Sequence, residues 1–176
     1  MTGLLDPTQI PLSLYIHMPW CVRKCPYCDF NSHAVPNGAL SLELEQQYLN
    51  ALVADFQTQL DFAQGRKIHS VFIGGGTPSL ISAQGYQWLF TQLRSLLEFE
   101  QGCEITLEAN PGTVEHDPFA DYLKSGINRL SIGVQSFNQE HLQRLGRIHS
   151  SANAIEAIKL AKQAGFELSL IHISEP

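Results

Sequence analysis

The chain has 176 residues, of which 44% are hydrophobic, and its formal net charge is −6. That length and apolar content suffice for one domain with a sizeable core, whereas the 11 Lys and Arg residues form no basic stripe for nucleic acid or an anionic membrane. The N-terminus has no basic region followed by an apolar stretch, and no segment is apolar enough to span a bilayer. We therefore expect a cytoplasmic protein without an integral membrane segment.

Short apolar segments alternate along the chain with segments of helical periodicity. The predicted strands cover residues 12–17, 68–73, 104–108, 128–134 and 166–171. The predicted helices cover residues 42–64, 82–98, 117–125, 138–145 and 152–164, with Ser41 as the N-terminal cap of the first and Gly126 as the C-terminal cap of the third. This order predicts an α/β fold of consecutive βα units around a parallel sheet, either doubly wound or part of a barrel.

The segments that carry chemically useful groups come directly after predicted strands. A cysteine-rich loop follows the first strand, residues 74–79 follow the second, residues 108–111 follow the third, and Gln135 follows the fourth. In both architectures, ligands bind at the carboxyl ends of the strands. We therefore expect these segments to meet at one edge of the sheet.

The cysteine-rich loop has the spacing C-x3-C-x2-C, formed by Cys21, Cys25 and Cys28. Iron–sulfur clusters are held by cysteine thiolates, usually four, so a set of three leaves one metal corner open to another ligand. A zinc ion held by the three cysteines and either His17 or His33 is the alternative. The fourth cysteine, Cys103, stands in an apolar run and is expected to be a buried hydrophobic residue.

Four further positions carry groups that can bind a ligand. Glycines at 74–76 let the backbone come close to a ligand and expose amide N–H groups. Residues 74–77 are therefore predicted to form a cradle for a phosphate or a carboxylate. The alternative is a tight turn with no ligand. Glu108 presents a carboxylate at a strand end, and Gln135 places an amide that needs a partner in an apolar strand. Arg147 can hold a carboxylate through two hydrogen bonds or lie at the surface.

The cysteine loop, with the aromatic Tyr27 immediately before its last cysteine, resembles the signature of the radical S-adenosylmethionine (SAM) superfamily. The resemblance implies a 4Fe–4S cluster ligated by the three cysteines, with the amino and carboxylate groups of SAM on the fourth iron. It also implies a partial (βα)6 barrel, of which this chain supplies the units up to about the fifth strand.

Longer stretches resemble the oxygen-independent coproporphyrinogen III oxidase-like family within that superfamily. The similar segments are residues 14–21, 25–31, 74–79, 108–112, 129–137 and 145–149. The resemblance implies that SAM is bound by Tyr15, Gly75, Gly76, Thr77, Glu108, Gln135 and Arg147.

Phe30 separates two branches of that family. The coproporphyrinogen III dehydrogenases have a further cysteine two residues after the last cysteine of the triplet, where this chain has Phe30. The resemblance therefore favours a heme chaperone, which binds heme and passes it to an acceptor protein, and implies heme or a porphyrin, that acceptor and an electron donor as partners. The alternative is the oxidase itself, a radical SAM oxidative decarboxylase of porphyrin biosynthesis, so whether the chain is an enzyme stays open.

The resemblance stops near residue 166. We expect residues 1–168 to be the N-terminal part of a radical SAM core domain, truncated after about its fifth strand. Residues 169–176 contain no carboxylate at the strand position where the family has one, so we expect a spurious or truncated tail there. A sheet that ends at its fifth strand would leave an apolar edge prone to aggregation.

Overall fold

The computed structural model describes residues 6–35, 39–111 and 117–173. The strands in chain order are β1 (Leu12–Met18), β2 (Trp20–Cys21), β3 (His33–Ala34), β4 (Ile68–Gly75), β5 (Phe99–Ala109), β6 (Arg129–Gln135) and β7 (Leu168–Ile173). The helices are α1 (Leu42–Thr58), α2 (Ala83–Leu96), α3 (Phe119–Ser125), α4 (Gln139–Arg144) and α5 (Ser151–Gln163). Within these described ranges, no helix is long and apolar enough to cross a lipid bilayer.

Five strands form one parallel sheet in the order β1-β4-β5-β6-β7. The short strands β2 and β3 form a separate parallel pair beside the cysteine loop. Within the five-stranded sheet, neighbouring strands follow one another in chain order. A doubly wound sheet reverses its direction of growth at an inner strand, so this sheet has the progression of a barrel segment. The predicted α/β fold is confirmed, and the barrel is the correct alternative.

The two faces of the sheet differ in polarity. Ile16 on β1 is buried and belongs to the core that the helices share, whereas Ser13 lies on the opposite face and is exposed. On that opposite face the hydroxyls of Ser13 and Ser70 are 2.8 Å apart, and Arg129 pairs with Glu104 at 3.0 Å. Parallel sheets are commonly apolar on both faces. The polar second face is therefore suited to solvent or to polar ligands.

One hydrophobic core joins the other face of the sheet to the helices. Its fully buried members include Val71, Ile73, Ile105, Leu107, Leu130 and Ile132 from the strands and Tyr86, Leu89, Phe90 and Leu93 from α2. The α2 residues recur at steps of three and four, the spacing that places side chains on one face of a helix. This packing fixes the strands and hence the positions of the loops that follow them.

Both predicted helix caps are present. The side chain of Ser41 accepts a hydrogen bond from the backbone N–H of Leu44, and Gly126 closes α3 with a φ of 108°. The first predicted helix is too long, because α1 ends at Thr58 and a separate 3₁₀ helix, Leu60–Ala63, follows. At that break the hydroxyl of Thr58 donates to the carbonyl oxygen of Asp55, a local bond that competes with continued helix.

Two strand boundaries also differ from the prediction. β5 begins at Phe99, five residues before the predicted start, and the register between β4 and β5 shifts across the polar residues 100–102. β7 extends to Ile173, and residues of the predicted tail up to that point pair with β6. Residues 174–176 lie outside the described residues, as does 112 of the segment 108–112. The assignment of residues 169–176 to a tail stays a prediction.

Candidate functional site

A cleft of about 130 Å³, open to solvent, lies at the carboxyl ends of the strands. It is lined by nine of the ten residues that the sequence predicts for the site: Cys21, Cys25, Cys28, Gly75, Gly76, Thr77, Glu108, Gln135 and Arg147. The tenth, Tyr15, is not among the lining residues. Because parallel strands all end at one edge, residues 126 positions apart in the chain share this single space.

The three loop cysteines are free thiols, with Cys21 buried and Cys25 and Cys28 half-buried. Within the part of the chain that the structure describes, no group of three or more His, Cys, Asp or Glu side chains is arranged around a single ion. A zinc site requires all its ligands on one ion. In a 4Fe–4S cluster each thiolate binds a different iron, and the assignment of these three thiols to such a cluster stays a prediction.

His17 is occupied within the protein. Its Nε2 lies 2.8 Å from the carbonyl oxygen of Asn31, so Nε2 carries the proton and donates, and Nδ1 accepts from the Tyr15 hydroxyl at 2.8 Å. Both ring nitrogens are therefore used, which leaves no lone pair for a metal ion. His33 is exposed on β3 and does not line the cleft.

Cys103 is buried in β5 and contributes nothing to the cleft. Burial raises the pKa of its thiol, which keeps the sulfur protonated and unreactive. The prediction that Cys103 is a buried hydrophobic residue is confirmed.

The backbone amides of the glycine turn are used within the protein. The N–H of Gly75 donates to Oε2 of Glu108 at 3.2 Å, that of Gly76 to the Met18 carbonyl at 2.6 Å, and that of Thr77 to the Trp20 carbonyl at 2.6 Å. The cradle of free N–H groups that the glycines suggested is therefore not present at these three residues.

Close packing explains the glycines of this turn. A Cβ on Gly76 would collide with the backbone carbonyl of Trp20, and Gly75 has a φ of 108°. Glycine has no Cβ to collide at position 76, and it adopts the positive φ of position 75 at low cost. The turn is thereby held tightly against the first residues of the cysteine loop.

Glu108 is the next-to-last residue of β5 and faces the cleft, half-buried. Burial raises the pKa of its carboxyl group, partly offset by the hydrogen bond from Gly75 and by the nearby His172. The carboxylate is thus an acceptor placed in a poorly solvated position, where a ligand donor is worth more than at the surface.

Gln135 ends β6 with a backbone φ of 68°. Left-handed conformations are uncommon for residues other than glycine, and such strain is concentrated at functional sites. The register between β6 and β7 also shifts just before this residue. Gln135 is also one of the residues that line the cleft.

Arg147, in the loop between α4 and α5, joins the two sides of the cleft. Its Nη1 lies 3.3 Å from both the sulfur of Cys25 and the hydroxyl of Tyr27. Its Nη2 donates to the side-chain oxygen of Asn110 at 2.5 Å and to the carbonyl of Gly133 at 2.9 Å. Arg147 therefore links the cysteine loop to the ends of β5 and β6, and it is not a free surface residue.

Tyr15 lies on the polar face of the sheet outside the cleft. Its ring is 56% exposed, stacks on Phe72 with 6.3 Å between centroids, and shares a face with His17 as strand alternation predicts. Burial and then the charge of Glu108 raise the pKa of its hydroxyl. Tyr15 is not among the residues that line the cleft, and its predicted part in SAM binding stays a prediction.

Several cleft residues were missed by sequence reasoning. They are Arg23, Asn110, Ser131, Ile148 and His172. Asn110 was within reach, because it stands two residues after Glu108 and strand alternation puts both on one face. Its Nδ2 also donates to the hydroxyl of Thr77 at 3.1 Å.

The model of the radical SAM superfamily matches residues 15–174. The chain is 53% identical over 169 residues to the heme chaperone HemW of Haemophilus influenzae, covering 94% of this chain and 44% of that protein. It is 53% identical over 165 residues to the heme chaperone HemW of Escherichia coli, covering 92% and 43% respectively. The chain thus spans less than half the length of these curated relatives.

Among solved structures, the chain is similar to coproporphyrinogen III oxidase (HemN) from Escherichia coli, described as a radical SAM enzyme. The TM-score is 0.80 and the identity 30%, over 94% of this chain and 37% of that one. Methylornithine synthase (PylB), at 18% identity and a TM-score of 0.55, shares the fold alone. These matches confirm the part-barrel architecture. Because the superfamily model covers most of its length, the chain belongs to the radical SAM superfamily.

Proposed function

We propose that this chain is the cluster- and SAM-binding part of a heme chaperone. The observation that carries the proposal is the cleft in which three free cysteines meet Glu108 and Arg147, in a chain 53% identical to proteins named heme chaperones. Function resides in the site rather than in the fold, so the lining residues count for more than the shape of the sheet.

The cysteine loop supplies the donor set for a 4Fe–4S cluster. Cys21, Cys25 and Cys28 would each ligate one iron and leave the fourth to the amino and carboxylate groups of SAM. Arg147 supports this arrangement, since its guanidinium already lies against the Cys25 sulfur and offsets negative charge there. The chemistry that these cysteines would bring to the site is one-electron reduction of the SAM sulfonium by the cluster they would hold.

The remaining predicted residues would hold SAM beside the cysteines. The Nε of Arg147 is buried and has no partner among the described residues, so it is a donor for a carboxylate. The residues of the glycine turn, Gly75, Gly76 and Thr77, would offer acceptors to the ammonium group. Glu108 and Gln135 would take the ribose hydroxyls, and Tyr15 would have to reach the ligand from outside the cleft lining.

Heme delivery rests on the relatives and on Phe30. The Phe30 side chain is 58% exposed and lines the cleft, where the oxidase branch would have another thiol. We propose heme or a porphyrin as the cargo of the whole protein, with a heme-acceptor protein and an electron donor as its partners. The fold match to an oxidase favours coproporphyrinogen III oxidation as the second candidate, at lower identity than the chaperones.

Anaerobic reconstitution with iron and sulfide tests the cluster. After one-electron chemical reduction, we expect a 4Fe–4S electron paramagnetic resonance signal that changes when SAM is added. Cys28→Ala should lose most iron and sulfide, whereas Cys103→Ala, which removes a buried thiol away from the cleft, should retain them. Stoichiometric zinc with no iron would contradict the proposal.

The reconstituted chain should then be offered heme, and separately coproporphyrinogen III with SAM. Heme binding without formation of protoporphyrinogen supports the chaperone. Decarboxylation of coproporphyrinogen III would support the oxidase instead.

A further inference from the structure

Ser131 lies in the middle of β6, in the lining of the cleft, and is only 2% exposed. Its hydroxyl has no hydrogen-bond partner among the described residues. Buried polar groups in folded proteins are nearly always satisfied, and an unsatisfied one calls for an explanation such as a ligand. Ser131 is therefore a polar group prepared for a partner from within the cleft.

The neighbour of Ser131 across the sheet is Glu108, its register partner between β5 and β6. Both side chains reach the same cleft, and one carboxylate oxygen of Glu108 already accepts from Gly75. An ionised carboxylate only accepts hydrogen bonds, whereas a serine hydroxyl both donates and accepts. A ligand hydroxyl satisfies both, because it can donate to Glu108 and accept from Ser131.

Depth within the cleft distinguishes the parts of the ligand. Arg147 donates to the carbonyl of Gly133, and Ser131 lies two residues earlier on the same strand, about 6.6 Å deeper by the rise of a parallel strand. The charged groups of SAM need the charged residues near the cysteine loop. The neutral Ser131 hydroxyl suits the uncharged, hydroxyl-bearing part.

We propose that the Ser131 hydroxyl hydrogen-bonds a ribose hydroxyl of SAM, alongside Glu108. This inference rests on the proposed function, since it requires that the cleft binds SAM. It assigns Ser131 a ligand-binding role that neither its residue type nor its place in an apolar strand would indicate.

The test measures SAM binding to the reconstituted chain by equilibrium dialysis, with SAM and with its 2′-deoxy and 3′-deoxy analogues. Ser131→Ala should bind SAM about three- to tenfold more weakly, the effect of one hydrogen bond. The unmodified chain should show a similar loss with one of the two analogues. With that analogue, Ser131→Ala should cause no further loss.

Ser79→Ala is the matched control. The Ser79 hydroxyl is likewise buried without a partner among the described residues, but Ser79 does not line the cleft. Removal of the Ser79 hydroxyl should leave SAM binding unchanged. Neither serine hydroxyl bonds a residue in the described part of the chain, so neither variant should lower the melting temperature.

Each contrary result has a distinct meaning. Unchanged SAM affinity in Ser131→Ala overturns the inference and leaves the proposed function standing, as does an equal loss for SAM and for both analogues. A lower melting temperature with unchanged affinity makes Ser131 a structural residue and also overturns it. Absence of SAM binding in the unmodified chain overturns the proposed function and the inference together.

Discussion

The guanidinium of Arg147 donates to the side-chain oxygen of Asn110, and Asn110 in turn donates to the hydroxyl of Thr77. This bridge connects the glycine turn after β4 to the loop that carries Arg147. Through the contact between Arg147 and Cys25, it also reaches the cysteine loop. Three loops that are far apart in the chain are thus held together by one asparagine.

Asn110→Ala should weaken cluster retention and SAM binding by about tenfold or more, because a hydrogen bond to a charged group contributes about 1.5–3 kcal/mol. Asn110→Asp keeps an acceptor for Arg147 and should retain most of the binding. Iron content and SAM affinity of the two variants would be compared with those of the unmodified chain. Equal losses in both variants would show that the contact with Arg147 is not what matters.

Glu108→Gln should stabilise the ligand-free chain near neutral pH and weaken SAM binding. Burial raises the pKa of Glu108, so folding favours its protonated form. The resulting stability is fully present below the unfolded pKa, about 4.5, and is lost as pH rises through the folded pKa. In urea titrations from pH 7 down to 4, the unmodified chain should gain stability relative to the variant. A parallel pH dependence in both chains would contradict this.

His149 predicts a pH effect of the opposite sign. Its Nε2 donates to the Val134 carbonyl at 3.0 Å, and burial, with the nearby Arg147 charge, lowers the pKa of the imidazole. The folded state therefore favours the neutral ring. Its contribution to stability is present above the unfolded pKa of 6.5 and is lost as pH falls through the folded pKa.

His149→Gln should consequently be less stable than the unmodified chain at pH 8, through a weaker bond to β6, with a smaller difference at pH 5.5. Urea midpoints at several pH values would measure this. An equal difference between the two chains at pH 8 and at pH 5.5 would contradict this prediction.

The fold was largely predictable because its signals are local. The apolar strands, the periodic helices and the caps at Ser41 and Gly126 follow from side-chain and backbone preferences, and they place the cysteine loop and the later strand ends on one rim. The strand order, which distinguishes barrel segment from doubly wound sheet, depends on packing between distant segments. The spacing of residues in the sequence does not specify the strand order.

The meeting of most predicted residues in one cleft could be expected from the sequence, whereas their hydrogen bonds could not. The glycine turn suggested free amides, but only the structure shows that carbonyls of Met18 and Trp20 occupy two of them. Ser131 resembles any small residue in a buried strand, because its unsatisfied hydroxyl is a property of the surroundings. Such roles arise from three-dimensional neighbours, which a one-dimensional pattern does not specify.

The last prediction concerns the contact between α1 and the start of α2, the helix that follows the glycine turn. Glu45 on α1 is buried, and its carboxylate accepts from both the backbone N–H of Ser82 at 3.1 Å and the Ser82 hydroxyl. Ser82 caps the N-terminus of α2 by accepting from Gly85, so the carboxylate also lies at the positive end of that helix. Glu45→Ala removes both bonds and leaves buried donors without partners.

We expect Glu45→Ala to lower the free energy of unfolding by about 2–4 kcal/mol, as buried hydrogen bonds to a charged group do. Glu43→Ala, at an exposed position two residues earlier on the same helix, should change the free energy of unfolding by less than about 0.5 kcal/mol. Urea denaturation of the three chains at neutral pH makes the comparison. Equal stability of the two variants would mean that Glu45 does not hold α1 to α2, the helix that follows the turn facing the cysteines.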